Sequence, residues 1–494
     1  METRTTCTAR SPASTRQYFK VALIAALGVV IAVGAPARAT APIVATGDPA
    51  TDFGAIQNAL DAGGEVILQN GPNGEVFNLE GVEKSLSITR DVTLKGQDDV
   101  AGNMARVVAN NFTTQYVEMY DDIFTLAIEV NLPGGTVAFD NLDMESGDNW
   151  LVRLYDCRDI RFTNCKIKGT KTGSTAVLVT LEGITGRGYF EGNNIDCPWG
   201  VVDGNWFRTE FPTYEFYSNT MVCPTNTCIV LKAASRVTIE NNRFEAPSPV
   251  YLPGICGEIT IKNNTVIQSG YSEYPPGSDV YSASAIYASH LEGFRGGEIS
   301  GNTIEINPSE NVQMDFVPSI CLADFEAFGG AQDLLVQDNI IAGKADWGIF
   351  LYNGASGNVI RRNNLENFTA VQFTLNGAGQ IGLGLGCHDN TVRGNIVGPL
   401  GTGALAAIWC SGDDNNDFIR NDYTRSGIQG LAAGGKPCVW LANVYDAETS
   451  DLVSAPENNL VFETLFPTGT DAVAQVLDDP RELTGTTTNI VVGR

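Results

Sequence analysis

The sequence predicts an all-β fold, a single-stranded parallel β-helix solenoid of about 11 to 13 coils with an N-terminal capping helix. Three observations predict it. A phrase of the form apolar-x-x-Asn-x-apolar recurs along most of the chain. A second series of short apolar strands falls between its copies. One amphipathic segment stands just ahead of the first copy.

The phrase reads "VTIENNRF" at 237–244 and "ITIKNNTV" at 259–266, then "GEISGNTIEI", "LLVQDNIIAG", "NVIRRNNLENF" and "NTVRGNIVGPL". Its fourth position is Asn193, Asn219, Asn242, Asn264, Asn302, Asn339, Asn363, Asn395 and Asn421, with Leu142 and Cys165 in the same slot earlier. Successive gaps from Leu142 to Asn264 are 23, 28, 26, 23 and 22 residues, and gaps of 38 and 37 follow, as if loops enter a constant unit. The second series is "LVRL", "AVLV", "GVVD", "CIVL", "PVYL", "AIYA", "SICL", "GIFL", "AVQF", "AIWC" and "CVWL". Each unit thus holds at least two short strands separated by turns, with no helical period. A unit that small cannot bury its own apolar side, but copies stacked in register can. Asparagine at the turn tolerates unusual backbone angles, and its amide bonds both the backbone and the next coil's amide about 4.8 Å away.

The stretch "TDFGAIQNALDAGG" (51–64) places Phe53, Ile56, Ala59 and Leu60 on one helical face and ends at Gly63-Gly64. It covers the strand edge that a solenoid exposes at its first coil. Further upstream, Arg10, Arg16 and Lys20 precede the apolar run Val21–Ala35, and Ala37-Arg38-Ala39 supplies a small-x-small cleavage pattern. That run is short for a membrane span, so residues 1–39 read as a secretory signal cleaved before Thr40. The domain reading is a signal at 1–39, a cap at 40–65, the β-helix at 66–465 and a C-terminal cap or tail at 466–494. Localisation is expected to be secreted, periplasmic or at the cell surface.

Without residues 1–39 the chain carries 26 basic and 56 acidic residues, a net charge of −30. Such a surface repels nucleic acid and anionic lipid, and it makes a polyanionic substrate awkward unless cations bridge it. Ten cysteines remain. Cys197 and Cys223 each stand four residues past a repeat asparagine and precede Pro, so stacking makes them neighbours; Cys223–Cys228 is the competing pair.

The repeats resemble those of the right-handed parallel β-helix, or pectin-lyase-like, superfamily, with NosD-type repeats, over roughly residues 50–465. No specific enzyme family is matched: Asn-Thr-Asp, Gly-His-Gly and Arg-Ile-Lys motifs of polygalacturonases are absent, as is the Asp-Pro-His-Asp of alginate epimerases. The resemblance implies a cleft along one sheet between long loops. Strand parity puts Ile286, Ile320, Ile349, Ile408 and Val439 inside and Tyr287, Cys321, Phe350, Trp409 and Trp440 outside, with Tyr251 one coil earlier. The longest loops, from Asn264 to Ile286, Asn302 to Ile320 and Asn421 to Val439, are expected to wall that face.

The aromatics Tyr251, Tyr287, Phe350, Trp409 and Trp440, with Arg295, are the expected substrate-binding residues. His290, Asp324 and Tyr352, from three consecutive coils, are the expected catalytic residues, with His290 the proton-transfer group. Asp413 and Asp414 in "CSGDDNND" are the expected metal ligands, for Ca²⁺ if any ion is held. His388 reads as a turn residue. The function expected is binding of a polysaccharide, with cleavage or epimerisation in the manner of a lyase or hydrolase. The alternative is a non-catalytic surface or structural solenoid, such as an adhesin. No nucleic-acid partner and no membrane span after signal cleavage are expected, and the expected state is a monomer.

Overall fold

The computed structural model describes residues 41–493 apart from 110–113, 117–122, 171–175, 181–183, 205–209, 270–283, 308–317, 324–329, 373–376, 412–414, 427–435, 446–451, 455–457, 464–475 and 479–489, and single residues 83, 100, 149, 292 and 443. The expected signal segment lies outside the described residues.

The helix forms as Pro49–Ala62. Asp48 caps it by accepting a hydrogen bond from the Thr51 N–H, Pro49 opens its first turn, and Gly63 ends it at φ +75°. Ile56 and Leu60 are buried, and Phe53 and Ala59 pack partly against the same core. Asp52 is buried as well, its carboxylate accepting from the Thr46 and Gly47 N–H groups, which ties the segment before the helix to its first turn.

Beyond the helix the chain winds as a right-handed parallel β-helix. Strand pairing is parallel from coil to coil throughout the solenoid, and crossovers between parallel strands take the right-handed sense. A coil holds three strands, one more than the minimum read from sequence. In one coil they are Val250–Ile255, Ile259–Lys262 and Thr265–Ser269. The pairing runs past residue 465: Val476–Asp478 and Ile490–Gly493 add further rungs.

The repeat asparagines sit at the corner between the second and third strands, and the work there is divided between two residues. The left-handed backbone belongs to the residue before the repeat asparagine: φ is +58° at Asn241 and +55° at Asn263. The repeat asparagine itself is buried and forms the ladder. Asn242 donates through Nδ2 to Asn264 Oδ1 at 3.0 Å and to the Phe216 carbonyl at 3.0 Å, while its backbone N–H reaches the same Oδ1 at 2.8 Å. This pattern continues from Asn193 to Asn421. Cys165 occupies the slot as expected, donating its backbone N–H to Asn193 Oδ1 at 2.9 Å. A second ladder, not recognised in the sequence, lies at another corner of the later coils. Asn358 donates to Asn390 and Asn390 to Asn416, each at 3.0 Å, and the Asn416 N–H reaches Asn459 Oδ1 at 2.8 Å.

Inside the coils, side chains stack on like side chains. Phe139, Phe162, Phe190 and Phe216 form a column with centroid separations of 4.6, 5.4 and 4.7 Å. A second column runs from Ile286 through Ile320, Ile349, Ile381 and Ile408 to Val439. One strand assignment changes. "AVQF" begins at the end of the strand Phe368–Ala370, and Gly379–Gly384 occupies the coil position expected for it. Glycine at the outward positions of that strand had hidden its alternation.

Candidate functional site

The outward side of the first strand of each coil carries one continuous row. It runs through Val202 and Val230 to Tyr251 and Tyr287, with Arg153 two coils earlier in register. It continues through Cys321, Phe350, Gly382 and Trp409 to Trp440. The five aromatics expected from parity are therefore aligned. The Tyr251 and Tyr287 rings lie 4.6 Å apart, and Phe350 lies 5.8 Å from Tyr352.

Their exposure departs from expectation. Tyr287 is 0%, Phe350 5% and Tyr251 7% exposed, so these three are not open stacking platforms. They belong to a second apolar cluster outside the coil, with Val230, Cys321, Ala323 and Trp347. The Tyr287 hydroxyl turns along the sheet and donates to the Ala323 carbonyl at 2.7 Å. Parity predicts which side of a sheet a ring occupies, but not what lies over it. Trp409 and Trp440 remain half-buried, as does Tyr352.

Trp347 is the residue this face adds to the expected set. It begins its strand, pairs with Gly379, and its ring lies 5.0 Å from Phe350 and 5.6 Å from Trp409. Room for it comes from glycine: a Cβ at Gly379 would stand 2.5 Å from the Trp347 ring, and one at Gly382 2.6 Å from both Trp347 and Phe350. Gly384 gives Tyr352 its place in the same way, a Cβ there falling 2.9 Å from the phenol ring. The signal was "GQIGLGLG", whose alternating glycines make a bare outward strip. The indole N–H groups of Trp347, Trp409 and Trp440 are enclosed and have no acceptor among the described residues.

His290 is not on this face. It shares the parity of Ile286 and Ala288, is 0% exposed, and both its ring nitrogens are engaged by backbone. Nδ1 accepts from the Gln332 N–H at 3.1 Å, so Nε2 carries the proton and donates to the Gly296 carbonyl at 3.1 Å. Burial is the main cause that pushes its pKa down to about 4, against the backbone hydrogen bonds that favour the charged form. Backbone thus holds the imidazole on the inner side of the sheet, away from the outward face where proton transfer was expected. Tyr352 does face outward, pairing with Ala323, so the two are on opposite sides of the sheet. Burial raises the Tyr352 pKa, and nearby Cys387 adds to it. Asp324, like Asp413, Asp414 and most of the three long loops, lies outside the described residues. Among the described residues no group of three or more His, Cys, Asp or Glu is placed to hold a metal ion.

Arg295 is also displaced from the aromatic row. It sits in the turn after the His290 strand, 3.3 Å from the Asp333 carboxylate, with its side chain 69% exposed. At the other end of the row, Arg153 was passed over in the sequence. Its guanidinium lies 4.3 Å from the Tyr155 ring centroid and 5.1 Å from that of Trp150, and the residue is 6% exposed. Burial lowers its pKa, while Tyr155 and Glu129 act in the opposite direction. The cysteine register agrees with expectation: Asp196 pairs with Val222, which puts Cys197 beside Cys223, and Cys223 also hydrogen-bonds Cys228. All ten described cysteines are buried free thiols. His388 forms a parallel bridge with Ser356 rather than a turn, its Nδ1 2.9 Å from Asp389.

No protein-family profile matches the chain, and no curated protein matches it. Among solved structures it is similar to tailspike protein 3 of bacteriophage CBA120, at 10% identity and a TM-score of 0.41, over 85% of this chain and 59% of that one. DFA-IIIase from Arthrobacter chlorophenolicus A6, in complex with GF2, matches at 15% identity and a TM-score of 0.41 over 92% and 96% of the two chains. PfbA, a surface adhesin of Streptococcus pneumoniae, matches at 12% identity and a TM-score of 0.38 over 86% and 99%. The chain spans less than two thirds of the tailspike. No helix among the described residues is long and apolar enough to cross a membrane.

Proposed function

We propose that this protein is exported and binds a glycan on the outward face of the later coils, with the rings of Trp409 and Trp440 as its contact surface. One observation carries the reading. Trp409 and Trp440 stand on consecutive rungs, half-buried, where Tyr251, Tyr287 and Phe350 of the same row are covered. Amphipathic rings of this kind are enriched where one side is apolar and the other wet. A sugar lying along the solenoid axis would stack on both rungs at once. Successive coils repeat at about 4.8 Å, which suits an extended polymer lying along the solenoid axis.

The expected cleavage or epimerisation is a separate question. With His290 neutral and facing the other way, this face is read as a binding surface, and no residue on it is assigned to proton transfer.

The test is a glycan panel against the purified protein, with reducing ends and unsaturated products followed in the same samples. Trp440→Ala is expected to weaken binding at least about tenfold, or 1.4 kcal/mol. Its circular dichroism should stay unchanged, because a half-buried outward ring is not part of the coil interior. A panel with no binder would leave a structural solenoid as the reading.

A further inference from the structure

The charges around this face narrow the ligand class. The strands Pro318–Ala323, Trp347–Tyr352, Gly379–Gly384, Ala406–Ser411 and Val439–Ala442 contain no Asp, Glu, Lys, Arg or His. Burial raises the pKa of the Cys321 thiol and of the Tyr352 phenol, the two weak acids on their outward side. The face is therefore five coils of aromatic, aliphatic and glycine surface without a charged side chain.

The cations near it are already committed. Lys436, just before the last of these strands, donates to the Gly401 carbonyl at 3.1 Å, and its pKa is lowered by burial. Arg295, which lies off this row, is paired with Asp333. The sequence between these five strands carries eleven Asp and Glu against seven Lys and Arg. The whole chain is at −26.

A uronate or sulfated polymer needs a fixed cation for each charge it buries, because an unpaired buried carboxylate is strongly disfavoured. Among the described residues this face offers none, and the chain's net charge of −26 repels polyanions before contact. We infer that the ligand is an uncharged glycan, recognised by ring stacking and hydroxyl hydrogen bonds rather than by ion pairs. The inference rests on the glycan-binding reading above and specifies its substrate class.

The experiment is calorimetric titration of the purified protein with uncharged cello-, xylo- and manno-oligosaccharides. Oligogalacturonate and oligoalginate are titrated alongside, each with and without a chelator. An uncharged oligomer is expected to bind with a Kd that changes less than about twofold between roughly 0.05 and 0.5 M salt, since no charge is there to be screened. The uronates should bind at least about tenfold more weakly. Uronate binding as tight as that of the uncharged oligomers, and lost in Trp440→Ala, overturns the inference but keeps the site. That holds whether or not chelator abolishes the uronate binding. Binding by neither class overturns the binding reading itself, and the inference with it.

Discussion

Val250–Ile255 and Ile259–Lys262 are neighbours in one coil, yet their outward sides differ completely. The first strand is buried at every position, whereas the second alternates buried and half-exposed residues. Outside the second strand series the solenoid is laced with ion pairs, such as Arg187–Glu215 at 2.6 Å and Arg362–Asp338 at 2.7 Å. Outside the first series lie Tyr287, Trp347 and Phe350. Both series use the same parallel ladder and feed the same interior. A β-helix therefore needs only its inner face buried, and the second apolar layer is an addition the fold does not require. Binding is proposed where that layer leaves rings half-buried, at Trp409 and Trp440.

The largest effect expected on that comparison comes from pH. His290 closes the covered strand just before the turn toward the solvated one. Its pKa falls from the ordinary 6.5 to about 4 in the folded state. Between those values the unfolded chain binds a proton that the native protein does not. Stability is therefore full above pH 6.5 and is lost on acidification toward 4, by up to about 3 kcal/mol. In His290→Gln the slope over that window should flatten relative to the wild type. Equal slopes in denaturant titrations of the two proteins would show the imidazole to be open to water.

Next is the glycine strip. Valine at Gly382 meets Trp347 and Phe350 at 2.6 Å, so Gly382→Val should cost about 1–3 kcal/mol as overpacking. Thr260→Val, on the half-exposed side of the second strand, should stay within about 0.5 kcal/mol. If melting shows both changes to be equally tolerated, the outward layer is not packed as described.

A smaller effect separates shape from hydrogen bonding on the covered side. Tyr287→Phe keeps the ring against Tyr251 and deletes the 2.7 Å bond to the Ala323 carbonyl. About 1 kcal/mol is expected. Unchanged stability would mean that the hydroxyl finds water, and that the row is less closed than its exposure indicates.

These contrasts also mark what was legible in the sequence. The interior columns and the first asparagine ladder could be read because stacking forces one residue type into one slot, coil after coil. The second ladder escaped because Asn358, Asn390, Asn416 and Asn459 follow a different corner, where the left-handed position is Gly357, Asp389, Asn415 and Asn458 in turn. His290 was a matter of counting: two residues beyond Ala288 restores inward parity, and proximity to the end of a strand does not change that. Burial of Tyr287 was not legible at all. It depends on what packs over the sheet from distant parts of the chain, and no local period encodes that. Trp347 and its glycines lie between these cases, since "GQIGLGLG" announces a bare strip but not which ring rests on it.

The smallest effect belongs to the solvated face, and it limits the comparison most directly. Lys262 reaches Glu298 at 2.5 Å, with the two side chains 34% and 25% exposed. Burial pushes the Glu298 carboxyl up, but hydrogen bonds from Lys262, Gln337 and Ser300 outweigh it and leave the pKa lowered. Any stability from this carboxylate is thus present at neutral pH and lost as pH falls through its folded value. Partial exposure screens the pair and keeps its worth small, so Lys262→Ala should cost less than about 1 kcal/mol, and less still at high salt. A double-mutant cycle of Lys262→Ala with Glu298→Gln, at low and high ionic strength, isolates the coupling. A coupling well above 1 kcal/mol that salt does not reduce would place this pair in a dry environment. The two faces would then differ in composition but not in solvent access, and the case for siting the ligand on the aromatic one would lose its contrast.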